Sequence, residues 1–125
     1  MFRAVFSENI FAEGSWGAAF HDDAAPAAGE AVIHQAGILS FPNTELAELL
    51  HGAGVTKVAV CGVATRLVVE AAVFELTDRG FEAYVVEDCC ASARADLHEQ
   101  SVEILRGFAS IAKAQDLRSQ FTSTR

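Results

Sequence analysis

The chain is poor in the residues that mark specialised classes of protein. Among its 125 residues are two prolines and one each of methionine, tryptophan and tyrosine. With so little proline, and with no low-complexity tract or internal repeat, collagen-like, linker-like and solenoid chains are excluded. Three cysteines, two of them adjacent, do not make a disulfide framework. No apolar stretch approaches the roughly 20 residues of a membrane-spanning helix. The start, MFRAVFSENIF, lacks the apolar core and small-residue cleavage site of a secretory signal. Basic residues are scarce too: nine Lys and Arg stand against 17 Asp and Glu, a formal net charge of −8. That balance argues against nucleic acid or an anionic membrane as a partner, and it fits a cytoplasmic protein acting on small molecules.

What is present is apolar. Hydrophobic residues make up 51% of the chain, enough for one domain, residues 1–125, around a single buried core. Phe2 to Ser7 (FRAVFS) is β-prone and predicts a strand. A polar connection follows, from Glu13-Gly14-Ser15-Trp16-Gly17 to His21-Asp22-Asp23, then a turn-rich stretch, AAPAAGE, centred on Pro26 and Gly29. Ala31 to Gln35 (AVIHQ) predicts a short strand. Asn43 or Thr44 can cap a helix whose apolar face is Leu46, Leu49, Leu50 and Ala53, ended by Gly52 and Gly54.

Lys57 to Val63 (KVAVCGV) is a continuous apolar run, as expected of a strand buried on both faces. Thr65 is a good N-cap for a helix to about Arg79, with Val69, Ala72, Val73 and Leu76 inward and Gly80 as its stop. Ala83 to Glu87 (AYVVE) predicts the next buried strand and Asp88 to Ala95 a loop. A helix from about Asp96 to Ile111 turns Leu97, Val102, Leu105 and Phe108 inward. The polar tail, about 112–125, is peripheral and frays or docks against a partner.

Strands and helices alternating through short glycine-punctuated connections predict an α/β fold, a parallel sheet flanked by helices. Ligands in such sheets sit beyond the carboxyl ends of the strands. Two loops share that crevice: Val63-Ala64-Thr65-Arg66, and Asp88-Cys89-Cys90-Ala91-Ser92. The first loop, within CGVATRLVVE, offers no obvious nucleophile, acid or base. Its small residues instead let backbone N–H groups face an anion at a helix N-terminus.

Together these segments resemble the isochorismatase-like (cysteine hydrolase) family. The resemblance runs through GSWGAAF, AAPAAGEAVIHQ, SFPNTELAELLHGAGVTKVAVCGVAT and AAVFELTDRGFEAYVVEDCCAS to His98-Glu99, roughly residues 14 to 108. Its most specific part is the block from Gly54 to Ser92. The resemblance implies hydrolysis of a small amide or vinyl-ether substrate by an aspartate, a lysine and a cysteine on an α/β sheet. No cofactor and no metal are expected.

The family's aspartate follows its first core strand, in a segment like DxQ. No such motif occurs here, so the expectation is an N-terminally short member without that strand, or a truncated form of a longer product. The family's lysine lies six residues before a phenylalanine; counting back from Phe41 reaches Gln35. Its cysteine lies three residues after the threonine of GVAT; counting forward from Thr65 reaches Val68. Valine cannot attack a carbonyl, and glutamine carries no charge to favour a thiolate. In the family this turn supplies an oxyanion hole and often a non-proline cis peptide, expected here between Val63 and Ala64. TRLVVE is closer to the TN-x-x-VE pattern of members without the cysteine.

Two functions follow from the resemblance: a hydrolase with altered triad positions, or a non-catalytic member that binds a small carboxylate or serves as a structural subunit. A missing strand would leave apolar surface open, so a homo-oligomer is expected. The residues expected at a ligand are Val63, Ala64, Thr65, Arg66 and Trp16. Arg66 either attracts a substrate carboxylate or faces solvent, where it opposes the helix dipole. Trp16 either walls a pocket or lies in a subunit interface.

Cys89 and Cys90 are displaced nucleophiles beside Asp88 or His98, or, the favoured reading, small residues suited to a bend. Cys61 is expected in the core. His21-Asp22-Asp23 reads as a solvated loop rather than a metal fragment. Strand alternation separates His34 from Gln35; a slip of register would instead make His34 the general base near the turn.

Overall fold

Two apolar runs, KVAVCGV and FEAYVVE, lie side by side and set the architecture. The computed structural model describes residues 8–121, in a chain of two compact units, 1–32 and 33–125. In the second unit β1 (Lys57–Val63), β2 (Glu82–Ala91) and β3 (Ser110–Ala112) form one parallel sheet in the order β1-β2-β3. Lys57 to Val60 of β1 pair with Glu82 to Val85, and Tyr84 to Val86 of β2 pair with Ser110 to Ala112. Helix α1 (Leu46–Gly52) precedes β1. After β1 a π-helical turn, Thr65–Val69, runs into α2 (Glu70–Asp78); α3 (Ala95–Leu105) links β2 to β3, and α4 (Ala114–Phe121) follows. The α/β class with a parallel sheet and flanking helices is therefore as expected.

Glycine ends both helices that feed the long strands. Gly54 (φ +66°) and Gly80 (φ +81°) take the left-handed conformation, where an L side chain is strained. Behind α1, Gly54 N–H bonds to His51 C=O and Val55 N–H to Leu50 C=O. Behind α2 the same pair recurs, Gly80 to Thr77 and Phe81 to Leu76. Each is a Schellman motif that satisfies terminal carbonyls and turns the chain into a strand. Thr44 supplies the start of α1: its hydroxyl accepts from Leu46 N–H at 3.4 Å while donating to Ser40 C=O at 2.7 Å.

The core joins Phe41, Val69, Val73, Leu76, Phe81, Ala83, Val85 and Leu105. Val73, Val85 and Leu105 have no exposed surface, and each such side chain stabilises by about 1.5–3 kcal/mol. Phe41 anchors the loop before α1. Its ring lies 6.5 Å from Phe81 and carries the Arg79 guanidinium 4.2 Å above it. Glu75 holds the same loop by accepting Ser40 N–H at 2.7 Å.

Several boundaries differ from the sequence reading. Phe2–Ser7 lies outside the described residues. Ala31–Gln35 forms no strand and meets no ladder partner. β1 is not buried on both faces: Lys57, Ala59, Cys61 and Val63 are exposed in alternation, so among the described residues one face of the strand is left uncovered. Cys61 is thus not a core residue. β2 extends through Ala91, since Cys90 and Ala91 regain pairing with Gly62 and Val63 after an irregularity, so Asp88–Ala91 is strand rather than loop.

Helix α3 stops at Leu105, where Gly107 N–H bonds to Ile104 C=O and Phe108 N–H to Leu105 C=O. The following SIA joins the sheet as β3, leaving Phe108 exposed with its ring edge-on to Phe74 at 5.0 Å. The tail docks on its own sheet: Asp88 accepts Ala114 N–H at 3.0 Å at the start of α4, and Phe121 meets the Tyr84 ring at 5.4 Å.

Candidate functional site

The carboxyl ends of β1 and β2 bring the two expected loops together. The peptide between Val63 and Ala64 is cis, at the expected position. Val63 is 75% exposed. The chain then bends inward through small residues, and Ala64 C=O accepts from Leu67 N–H at 3.1 Å and Val69 N–H at 3.4 Å. The second of these bonds spans five residues and widens the first turn into a π-helical one, a feature that recurs at functional sites.

Thr65 does not cap the helix with its side chain. It is fully buried, and its Oγ1 lies 2.9 Å from Nδ1 of His98 on α3. This contact reaches from the turn to α3. The capping role passes to Ser92, whose Oγ accepts the N–H of Arg66 at 3.1 Å. Burial explains the exchange: a hydroxyl in the core must find a partner there, and His98 is the one within reach. Ser92 is the residue that sequence reasoning named only as part of a loop. A hydroxyl five residues beyond the end of a predicted strand carries no local signal for a cap 26 positions away.

Arg66 itself is exposed, with its side chain free to meet an anion from solvent. Val68 is half-buried and packs against the core cluster. Glu70, at the start of α2, has a buried Oε1 with no hydrogen-bond partner, as does the hydroxyl of Ser101 on α3. Beside His98, a shallow cavity of about 210 Å³ is lined by Glu87, Glu99, Val102, Glu103 and Arg106.

The remaining candidates fall elsewhere. Gln35 is exposed, and its Nε2 donates to Gly37 C=O at 3.1 Å. His34, beside it, is exposed outside any strand, so the alternation argument has no strand to act on. Trp16 belongs to the first unit, at the start of a short 3-10 turn, and is exposed. His21 caps the next such turn, its Nδ1 accepting Asp23 N–H at 3.2 Å. Among the described residues no three His, Cys, Asp or Glu side chains are grouped to hold a metal ion. No helix among them is long and apolar enough to cross a membrane.

Cys89 and Cys90 carry thiols shifted away from reactivity. Desolvation first, then the Asp88 carboxylate and the Cys61 sulfur, push the Cys89 thiol above its ordinary value. Desolvation likewise raises Cys90, against a backbone hydrogen bond from Gly62 that lowers it. Both shifts favour the protonated form, the reverse of what an attacking thiolate requires. Asp88, the nearest carboxylate in sequence, holds the start of α4 and repels a thiolate at Cys89.

Comparison with known proteins gives a consistent set of likenesses. Residues 1–116 match the family model described as the isochorismatase domain. A maleamate amidohydrolase of Pseudomonas putida is 33% identical over 109 residues, covering 86% of this chain and 51% of that protein. An isochorismatase family protein of Bacillus subtilis is 30% identical over 94 residues, 75% of this chain and 52% of its own. The chain thus spans about half the length of these curated relatives. A solved structure of a putative isochorismatase hydrolase from Oleispira antarctica superposes with a TM-score of 0.82 at 30% identity, covering 86% of this chain and 63% of that one. An isochorismatase-like hydrolase from Alkaliphilus metalliredigens gives 0.83 at 21% identity, covering 86% and 60%.

Proposed function

The chain belongs to the isochorismatase family, and from that premise we propose that it binds a small carboxylate or amide at the Val63–Arg66 turn without cysteine-based hydrolysis. The observation that carries this reading is the valine at position 68, an apolar side chain packed into the core cluster where the family's pattern has its nucleophile. Gln35 at the lysine position is consistent with it, being uncharged and bonded to its own loop. In this reading Val63 and Ala64 present the turn, Thr65 fixes it through His98, and Arg66 supplies the positive charge for the ligand. The turn is a modest anion site, since Ser92 already occupies the Arg66 N–H, and the side-chain charge supplies most of the attraction.

The second reading is hydrolysis of a small amide, favoured by the likeness to a maleamate amidohydrolase. Calorimetric titration of the purified chain with maleamate and maleate, beside a turnover assay for released ammonia, separates the two. Binding without turnover, weakened several-fold in Arg66→Gln, supports the first reading. Ammonia release that persists in the pure protein sinks it. A Val68→Cys variant is expected to bind as the parent does and to remain inactive, because a thiol alone gains no partner that would ionise it.

A further inference from the structure

We propose that His98 is a pH-sensitive latch on the Val63–Arg66 turn, holding it while the imidazole is neutral and releasing it on protonation. Thr65 opens the π-helical segment after β1 and has no exposed surface. Among the described residues its Oγ1 has a single hydrogen-bond partner, Nδ1 of His98 at 2.9 Å. A hydroxyl shut off from water donates to the partner within reach. Thr65 therefore donates, Nδ1 accepts, and the neutral ring carries its proton on Nε2.

Protonation breaks this arrangement. An imidazolium donates from both nitrogens, so Nδ1 no longer accepts the Thr65 hydroxyl. If Thr65 accepted instead, its own hydrogen would be left without an acceptor in a fully buried position. The charged ring has other partners. His98 is half-buried and lines the cavity of about 210 Å³ with Glu87 from β2 and Glu99, Glu103 and Arg106 from its own helix. Three carboxylates attract an imidazolium there; the one guanidinium opposes it but is itself paired with Glu103 at 3.4 Å. Of the other elements packed against α3, the turn carries Arg66, exposed to solvent, and α2 carries Glu70 at its start, with a buried Oε1 that has no hydrogen-bond partner. β3 carries no ionisable side chain.

The effect reaches the turn through the backbone next to Thr65. Ala64 C=O accepts Leu67 N–H and Val69 N–H, the two bonds that shape the first helical turn. With Thr65 released, the side-chain tie that remains is Ser92 on the Arg66 N–H. The held turn takes the neutral ring and the released turn takes either form, so acid favours release. The consequence rests on the reading of this turn as a ligand site: binding there weakens as His98 protonates.

The test is amide exchange of the full chain without ligand, from about pH 5 to 8, corrected for the intrinsic rate at each pH and read beside the ring nitrogen shifts of His98. The expected result is a neutral ring protonated at Nε2, with protection at Leu67 and Val69 falling about tenfold as the ring takes its second proton. Val85, paired on both sides in the middle of β2, keeps its protection. In His98→Asn the side-chain oxygen accepts the Thr65 hydroxyl and does not titrate, so protection at Leu67 and Val69 stays level. Four results overturn the proposal: protection that ignores His98 protonation, a loss shared equally by Val85, a fall that persists in His98→Asn, or a neutral ring protonated at Nδ1. The parent chain decides the matter if the variant fails to fold. Calorimetry with maleate checks the ligand reading separately: a chain that takes no maleate loses that reading, while the exchange result still judges the latch.

Discussion

Thr65→Val tests whether the buried contact with His98 holds the turn. Valine matches threonine in shape and lacks only the hydroxyl, so the packing of this fully buried residue is kept. The lost hydrogen bond is worth about 0.5–1.5 kcal/mol net, and an imidazole left without a partner adds a share of the penalty for an unsatisfied group. His98 is half-buried and water reaches part of it, so that share is small and the sum is about 1–2 kcal/mol. With a urea slope of about 1–2 kcal/mol per molar, the unfolding midpoint falls by roughly 1 M. A double-mutant cycle with His98→Ala isolates the pair, with an expected coupling of about 1 kcal/mol. Amide exchange at Leu67 and Val69, whose N–H groups bond to Ala64 C=O, should quicken in Thr65→Val. Strictly additive single variants, with no change in exchange at those amides, would refute the reasoning.

The other expectations concern the scaffold. Gly80→Ala places a Cβ in open space, so its cost of about 1–2 kcal/mol comes from the left-handed backbone alone; Gly107→Ala, at ordinary φ and ordinary contact, should leave the thermal midpoint nearly unchanged. Leu105→Ala, at a site with no exposed surface, should cost about 2–5 kcal/mol in denaturant unfolding. At the amino ends of β1 and β2, Glu82 accepts the Tyr84 hydroxyl and pairs with Lys57 at 3.5 Å. The Tyr84 bond first, and Lys57 with it, lower the Glu82 pKa from 4.5, so its stabilisation is present above that value and is lost as pH falls through the lowered one. Glu82 raises Tyr84 above 10.0 and Lys57 above 10.5, so theirs is present below those values and is lost as pH rises through the raised ones. Thermal midpoints measured against pH should therefore decline at both ends, and Glu82→Gln should flatten both limbs.

Local chemistry and periodicity made the repeating skeleton legible. Gly54 and Gly80 mark helix ends because only a residue without a Cβ takes the left-handed turn cheaply. Val69, Val73 and Leu76 mark an inward face because their spacing is helical. The extent of β2 was not legible, because Asp88 and the two cysteines are poor strand formers until Gly62 and Val63 offer them partners. SIA reads as helix by continuity with α3 and becomes β3 only because the Tyr84–Val86 edge is there to pair with it.

The same division runs through the site. The sequence by itself determined the chemical inventory: a small-residue turn between strand and helix, valine at position 68 and glutamine at position 35. It also determined the place of the turn, since strand, small residues and helix in that order leave little else for the backbone to do. Only the tertiary structure decided which hydroxyl faces which partner. Thr65 looks like a cap from its position, but burial turned it to His98, and Ser92 came across the crevice to take the Arg66 N–H. It likewise decided that Cys61 stands on an open face, because a continuous apolar run says that a strand can be buried, while neighbouring elements settle whether it is.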